Sequence, residues 1–121
     1  MKIKILVIDD DDLFLAMMQI RLEVSGFQVL TCKTGEEGVM LFEQLRPDLV
    51  VLDIRLPSMS SNEVFRRIKE LSPSAGIITT SAYTSVTTAE QEKIRGAENF
   101  YDKATQSDNL VTAIKAALKI S

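Results

Sequence analysis

Ile3, Ile5, Leu6, Val7 and Ile8 form an apolar stretch too continuous for a strand with one wet face, which predicts a strand covered on both sides. Phe27 to Cys32, Asp48 to Asp53 and Gly76 to Ser81 read the same way, with a weaker fifth run at Asn99 to Asp102. Between these runs the spacing becomes helical. The first helix is expected from about Leu13 to Val24, with Gly26 just past its C-terminus. The second opens with Thr34 and Glu37 in capping-box register and should end at Arg46, because Pro47 disfavours helical geometry in the residue before it. The third repeats the box in Ser60 and Glu63; Val64, Phe65, Ile68 and Leu71 face inward, and Arg66, Arg67, Lys69 and Glu70 face water. The fourth, Thr87 to Arg95, stops at Gly96 and has Ile94 as its only sizeable apolar residue, so it should be weakly anchored. The fifth, after Ser107, carries Leu110, Ile114, Ala117 and Leu118 on one side, with Asp108 near its start and Lys115 and Lys119 near its end to suit the helix dipole.

Five strands alternating with five helices through short links predict an α/β fold, a parallel sheet with helices on both faces. The chain has 121 residues, 45% of them apolar, which suits one domain with one core. No repeat, linker or low-complexity segment divides it. With 17 acidic against 14 basic residues the net charge is −3, so no basic field exists to hold nucleic acid directly. The apolar runs fall well short of the roughly 18 residues of a membrane span. The start, Met1-Lys2-Ile3-Lys4, passes straight into strand-like sequence rather than a signal peptide, and a cytoplasmic location is expected. Cys32 is the single cysteine and histidine is absent, which excludes an internal disulfide, cysteine zinc sites, imidazole ligands and Ser/His or Cys/His nucleophile pairs. Any chemistry must rest on carboxylates, hydroxyls and amines.

In parallel sheets of this kind ligands sit beyond the carboxyl ends of the strands. Strand one ends in Asp9-Asp10-Asp11-Asp12, strand three in Asp53, strand four at Ser81-Ala82 and strand five near Lys103. If these strands are adjacent, two or three carboxylates converge, and like charges so placed call for a cation. All-oxygen ligands point to a hard ion, and Mg²⁺ fits better than zinc. With Lys103 as a second positive charge and Ser81 as a hydroxyl donor, the inventory suits phosphoryl transfer. Each piece also has an ordinary reading: the Asp run as a helix cap and solvated loop, Asp53 as a paired or solvated strand-end acid, Ser81 as structural, Lys103 as solvated. Met17 and Met18 read as helix core and Cys32 as a small buried hydrophobe.

Taken in order, Asp9-Asp10, Asp53, Ser81-Ala82 and Lys103, with Leu52-Asp53-Ile54-Arg55-Leu56-Pro57 and Gly96-Ala97, resemble the receiver domain of two-component response regulators over essentially the whole chain, residues 1–121. The resemblance implies a flavodoxin-like, doubly wound sheet of strand order 2-1-3-4-5. It implies that Asp53 takes a phosphoryl group from a phosphohistidine on a sensor histidine kinase or histidine phosphotransfer protein. Asp10, Asp9, Asp53 and the backbone carbonyl of Arg55 would hold Mg²⁺, Asp9 through water. Lys103 would contact one phosphoryl oxygen and Ser81 another, while Phe100 would swing inward as Ser81 moves. The output face would be the fourth helix, the fifth strand and the fifth helix, acting on a downstream protein or a further domain. Such a chain is a signalling phosphoacceptor that promotes its own phosphotransfer and dephosphorylation, not an enzyme.

The sequence departs from the family pattern at four positions. Ser58 and Ser61 stand where glycines are usual and Ser60 where an acid is usual, which should stiffen the loop after Asp53 while keeping the capping box. Ala104 follows Lys103 where a proline with a cis bond is usual; since cis costs a non-proline residue about 2.5 to 4 kcal/mol, a trans bond is expected. These departures keep a second reading in view, a receiver-like interaction module that works without phosphorylation. An aspartate-nucleophile phosphatase would need another acid where Arg55 stands, and flavin binding has only the fold in its favour.

Overall fold

The computed structural model describes residues 2–56, 59–81 and 99–119, and for 81 and 99–109 it describes the backbone. Five strands, β1 (Lys4–Ile8), β2 (Gln28–Cys32), β3 (Leu49–Asp53), β4 (Gly76–Ser81) and β5 (Asn99–Asp102), form one parallel sheet in the order β2-β1-β3-β4-β5. Four helices are described: α1 (Asp12–Val24), α2 (Gly35–Leu45), α3 (Ser61–Leu71) and α4 (Lys103–Ala117). The helix expected over Thr87 to Arg95, and Gly96-Ala97 after it, lie outside the described residues. No helix among the described residues is long and apolar enough to cross a membrane.

Continuous apolarity in the strands has its physical reason in two cores, because successive side chains alternate between sheet faces. Ile5 and Val7 of β1, Leu49 and Val51 of β3 and Ile78 of β4 pack with Phe14, Leu15, Met18 and Leu22 of α1 and Leu110, Ala113 and Ile114 of α4. The intervening residues, Leu6, Ile8, Val50, Leu52 and Ile77, pack on the other face with Phe42 of α2 and Val64 and Ile68 of α3. Cys32 lies in this second core, and burial pushes its thiol up to about 12.

Helix boundaries follow local chemistry. Gly26 takes φ +94, and its N–H bonds the Glu23 carbonyl while the Phe27 N–H bonds the Leu22 carbonyl, the double bond that closes a helix on a left-handed glycine. Leu22 and Phe27 then meet in the core. Helix α2 stops at Leu45, with Arg46 turned left-handed (φ 46) as its cap ahead of Pro47. Thr34 and Ser60 accept the N–H groups of Glu37 and Glu63, the hydroxyl arm of each expected box. The Glu63 carboxylate pairs with Arg66 and Arg67 instead, which holds it below the usual carboxylate range.

One boundary differs from expectation. The last helix begins at Lys103, directly after β5, and not after Ser107. Without a proline after Lys103, Ala104, the strongest helix former, lets the helix start at the strand's end. No cis peptide bond occurs among the described residues.

Candidate functional site

The run of four aspartates divides into four structural roles. Asp9, directly after β1, is fully buried, and its Oδ1 accepts the Asp11 N–H at 2.9 Å. Asp10 is exposed. Asp11 caps α1, accepting the N–H groups of Leu13 at 3.0 Å and Phe14 at 3.4 Å. Asp12, in the first turn of α1, pairs with Lys33 at 2.8 Å, and this neighbour raises the lysine's affinity for its proton.

Asp53, 5% exposed, closes β3. Its Oδ1 accepts the Arg55 N–H at 3.0 Å, and the buried hydroxyl of Ser61 donates to its backbone carbonyl. Because β1 and β3 are neighbours with Ile8 opposite Leu52, Asp9, directly after β1, and Asp53, the last residue of β3, fall at the same height. Asp9, Asp10 and Asp53 each place a carboxylate oxygen within 4.8 Å of the others. Two of these three groups are buried, and all offer hard oxygen donors. That donor set fits Mg²⁺ and offers no nitrogen or sulfur for a softer ion.

The backbone places Ser81 and Lys103 along the same edge, with Phe100 two residues short of the end of β5. Thr80 is opposite Asp53 across the β3–β4 ladder, and Ser81 follows it as the last residue of β4. Ser81 is opposite Asp102 on β5, Lys103 comes next, and Phe100 is opposite Thr79. The carboxyl ends of β1, β3, β4 and β5 therefore stand side by side, as the sheet order requires. Arg55, whose carbonyl is an expected ligand, lies two residues beyond β3 with an exposed side chain.

Two contacts near this edge escaped the sequence reading, those of Lys33 with Asp12 and of Ser61 with the Asp53 carbonyl. Lys33 follows the last residue of β2, so the strand-end rule could have found it. Ser61 gave a weaker signal, the doubled Ser60-Ser61 at the start of α3.

Comparisons with known proteins agree with this geometry. The chain is 31% identical over 117 residues to the transcriptional regulatory protein GlrR of Escherichia coli (strain K12), a match covering 97% of this chain and 26% of that protein. It is 32% identical over 115 residues to the transcriptional regulatory protein AfsQ1 of Streptomyces coelicolor, covering 95% and 51%. It thus spans about a quarter and about half of the lengths of these two relatives. Among solved structures, a CheY-like response regulator receiver domain protein of Methanospirillum hungatei superimposes with a TM-score of 0.91 at 26% identity, covering 98% of this chain and 95% of that one. The response regulator TrrA of Thermotoga maritima, solved in complex with Mg²⁺-BeF, gives 0.82 at 30% identity, covering 97% and 99%. The response regulator receiver domain model matches residues 5–115, and the chain belongs to that family of two-component signalling domains.

Proposed function

We propose that residues 1–121 form a receiver domain that accepts a phosphoryl group on Asp53 from a phosphohistidine of a sensor histidine kinase or phosphotransfer protein. The observation that carries this reading is the acidic cluster of Asp9, Asp10 and Asp53 at the carboxyl edge of a receiver-type sheet. A carboxylate oxygen of Asp53 attacks phosphorus, an O–P bond forms, the N–P bond breaks and its electron pair leaves with the imidazole nitrogen. Asp53 is suited to this because the Arg55 N–H fixes Oδ1 and thereby the orientation of the carboxylate.

Asp10, Asp53 and the Arg55 carbonyl would hold Mg²⁺ directly, and Asp9 through water. When bound, the ion offsets the charge of the carboxylates and of the transferring oxygens. Lys103 and Ser81 are assigned to the phosphoryl oxygens, and Ser81 with Phe100 to the response that follows. Phosphorylation adds about −1.5 to −2 charges and new acceptors at Asp53, and the expected output surface combines β5 and α4 with the Thr87–Arg95 segment, which lies outside the described residues. Output passes to a downstream protein or a further domain rather than to nucleic acid or membrane. The chain is a cytoplasmic phosphoacceptor that promotes its own phosphotransfer and dephosphorylation, and not a turnover enzyme.

Helix α1 supports a protein partner. Leu13, Ile20 and Val24 are 78%, 65% and 83% exposed at helical spacing, an apolar stripe that starts beside the acidic run.

The test is incubation with acetyl phosphate or phosphoramidate and Mg²⁺, followed by intact mass and peptide mapping. The expected result is one added phosphoryl group on Asp53, not formed when EDTA is present from the start and absent in Asp53→Asn. No uptake by the parent chain at millimolar metal and donor would favour the phosphorylation-independent module.

A further inference from the structure

Ser60 and Ser61 are adjacent hydroxyls with separate partners. Ser60 accepts the Glu63 N–H at 3.1 Å and so starts α3. Ser61, 3% exposed, donates instead to the backbone carbonyl of Asp53, eight residues earlier.

That carbonyl lies just beyond the β1–β3 ladder, whose last pair is Ile8 with Leu52. A buried carbonyl at such an end needs a partner from outside the sheet, and leaving it unmet carries a desolvation penalty. Asp53 is thus held twice by the segment that follows it, at its carboxylate by the Arg55 N–H and at its main chain by the Ser61 hydroxyl. The two bonds tie the start of the β3–α3 loop and the first residue of α3 to the same aspartate. The Arg55 carbonyl sits on the loop so closed.

From this we infer that Ser61 is a positioning residue for the cation and phosphoryl site: its hydroxyl fixes the path of the loop carrying Arg55 relative to the Asp53 carboxylate. The inference rests on the reading of Asp9, Asp10 and Asp53 as the Mg²⁺ site. Ser61 would act through its bond to Asp53, in the manner of outer residues that orient metal ligands. Removing the hydroxyl takes one bond from a buried carbonyl and loosens the tie between the first residue of α3 and Asp53. Mg²⁺ affinity should fall, because part of the ordering must then occur on binding.

The experiment titrates Mg²⁺ alone into the parent chain, Ser61→Ala, Ser61→Gly and Ser60→Ala by isothermal calorimetry, with thermal unfolding of each without metal. Ser61→Ala and Ser61→Gly should raise the Kd about ten-fold. Ser60→Ala should lower the melting temperature and leave the Kd within about two-fold, since it removes a cap and no bond to Asp53. Equal Kd values for the parent and both position-61 variants would overturn the inference and leave the reading of the acidic cluster intact. A rise with Ser60→Ala as large as that with Ser61→Ala would also overturn it, by tracing the loss to a weakened α3. A parent chain that takes up no Mg²⁺ would instead remove the reading on which the inference stands.

Discussion

Gly38 of α2 lies against Ile8 of β1 so closely that a Cβ on the glycine would fall 2.9 Å from Cγ1 of Ile8 and overlap its Cδ1. Ile8 is fully buried and immediately precedes Asp9. Alanine in place of glycine favours a helix by about 1 kcal/mol, whereas overpacking a closed core costs about 1 to 3 kcal/mol. Gly38→Ala should therefore destabilise the domain by about 1 kcal/mol in urea unfolding. Ile8→Val removes the overlapping methyl, so the double variant should recover most of the loss. A stabilising Gly38→Ala would contradict the close approach.

Asp10 should trade stability against metal binding. It is the exposed member of a cluster of three carboxylates whose mutual repulsion opposes folding when no cation is present. Asp10→Asn should raise metal-free stability by about 0.5 to 1 kcal/mol and weaken Mg²⁺ binding by at least about ten-fold. The parent chain, at a Mg²⁺ concentration about 100 times its Kd, should gain about 2.7 kcal/mol, a gain the variant loses at the same concentration. Thermal melts with and without MgCl₂ read both effects.

Cys32 sets an alkaline limit to stability. Its thiol ordinarily ionises near 9.0 and in the fold only at about 12, with burial as the main cause and the charge of Glu37 adding to it. The unfolded chain thus releases a proton that the folded chain keeps. This contribution is fully present below pH 9 and is lost as pH rises from 9 towards 12. Cys32→Ser or Cys32→Ala should flatten the fall in stability over that range, as followed by chemical denaturation. Iodoacetamide at pH 8 should leave the native thiol unmodified and alkylate the denatured one.

The apolar stripe on α1 should matter for a protein donor and not for a small one. Ile20→Glu places a charge at the middle of the stripe, on a side chain already 65% exposed, so stability should change by less than about 0.5 kcal/mol. Phosphorylation by acetyl phosphate should be unaffected, while transfer from a phosphorylated histidine partner should slow about ten-fold or more. Equal transfer rates for parent and variant would assign the stripe to another surface function.

The strands and the acidic cluster were legible in the sequence for a common physical reason. A strand covered on both faces leaves an unbroken apolar signature, and a parallel sheet brings strand ends together, so Asp9, Asp10 and Asp53 could be placed before any contact was seen. Boundaries set by one residue's chemistry were also readable, as at Gly26, Thr34, Ser60 and Pro47. Helix starts without a cap signal were not: the last helix begins four residues before Ser107, since Lys103 and Ala104 continue smoothly from β5. The bond from Ser61 to the Asp53 carbonyl was hidden too, because it depends on the path of a loop and not on spacing.

Arg46 joins the ends of two helices. From its left-handed position at the end of α2, its guanidinium bonds the Leu71 carbonyl at the end of α3 at 2.9 Å and lies 5.7 Å from the centre of the Phe42 ring. One side chain thus rivets together the tails of two neighbouring helices at the rim opposite the aspartates. Any displacement that reaches this rim has to move both helix ends together or break the bond from Arg46 to the Leu71 carbonyl.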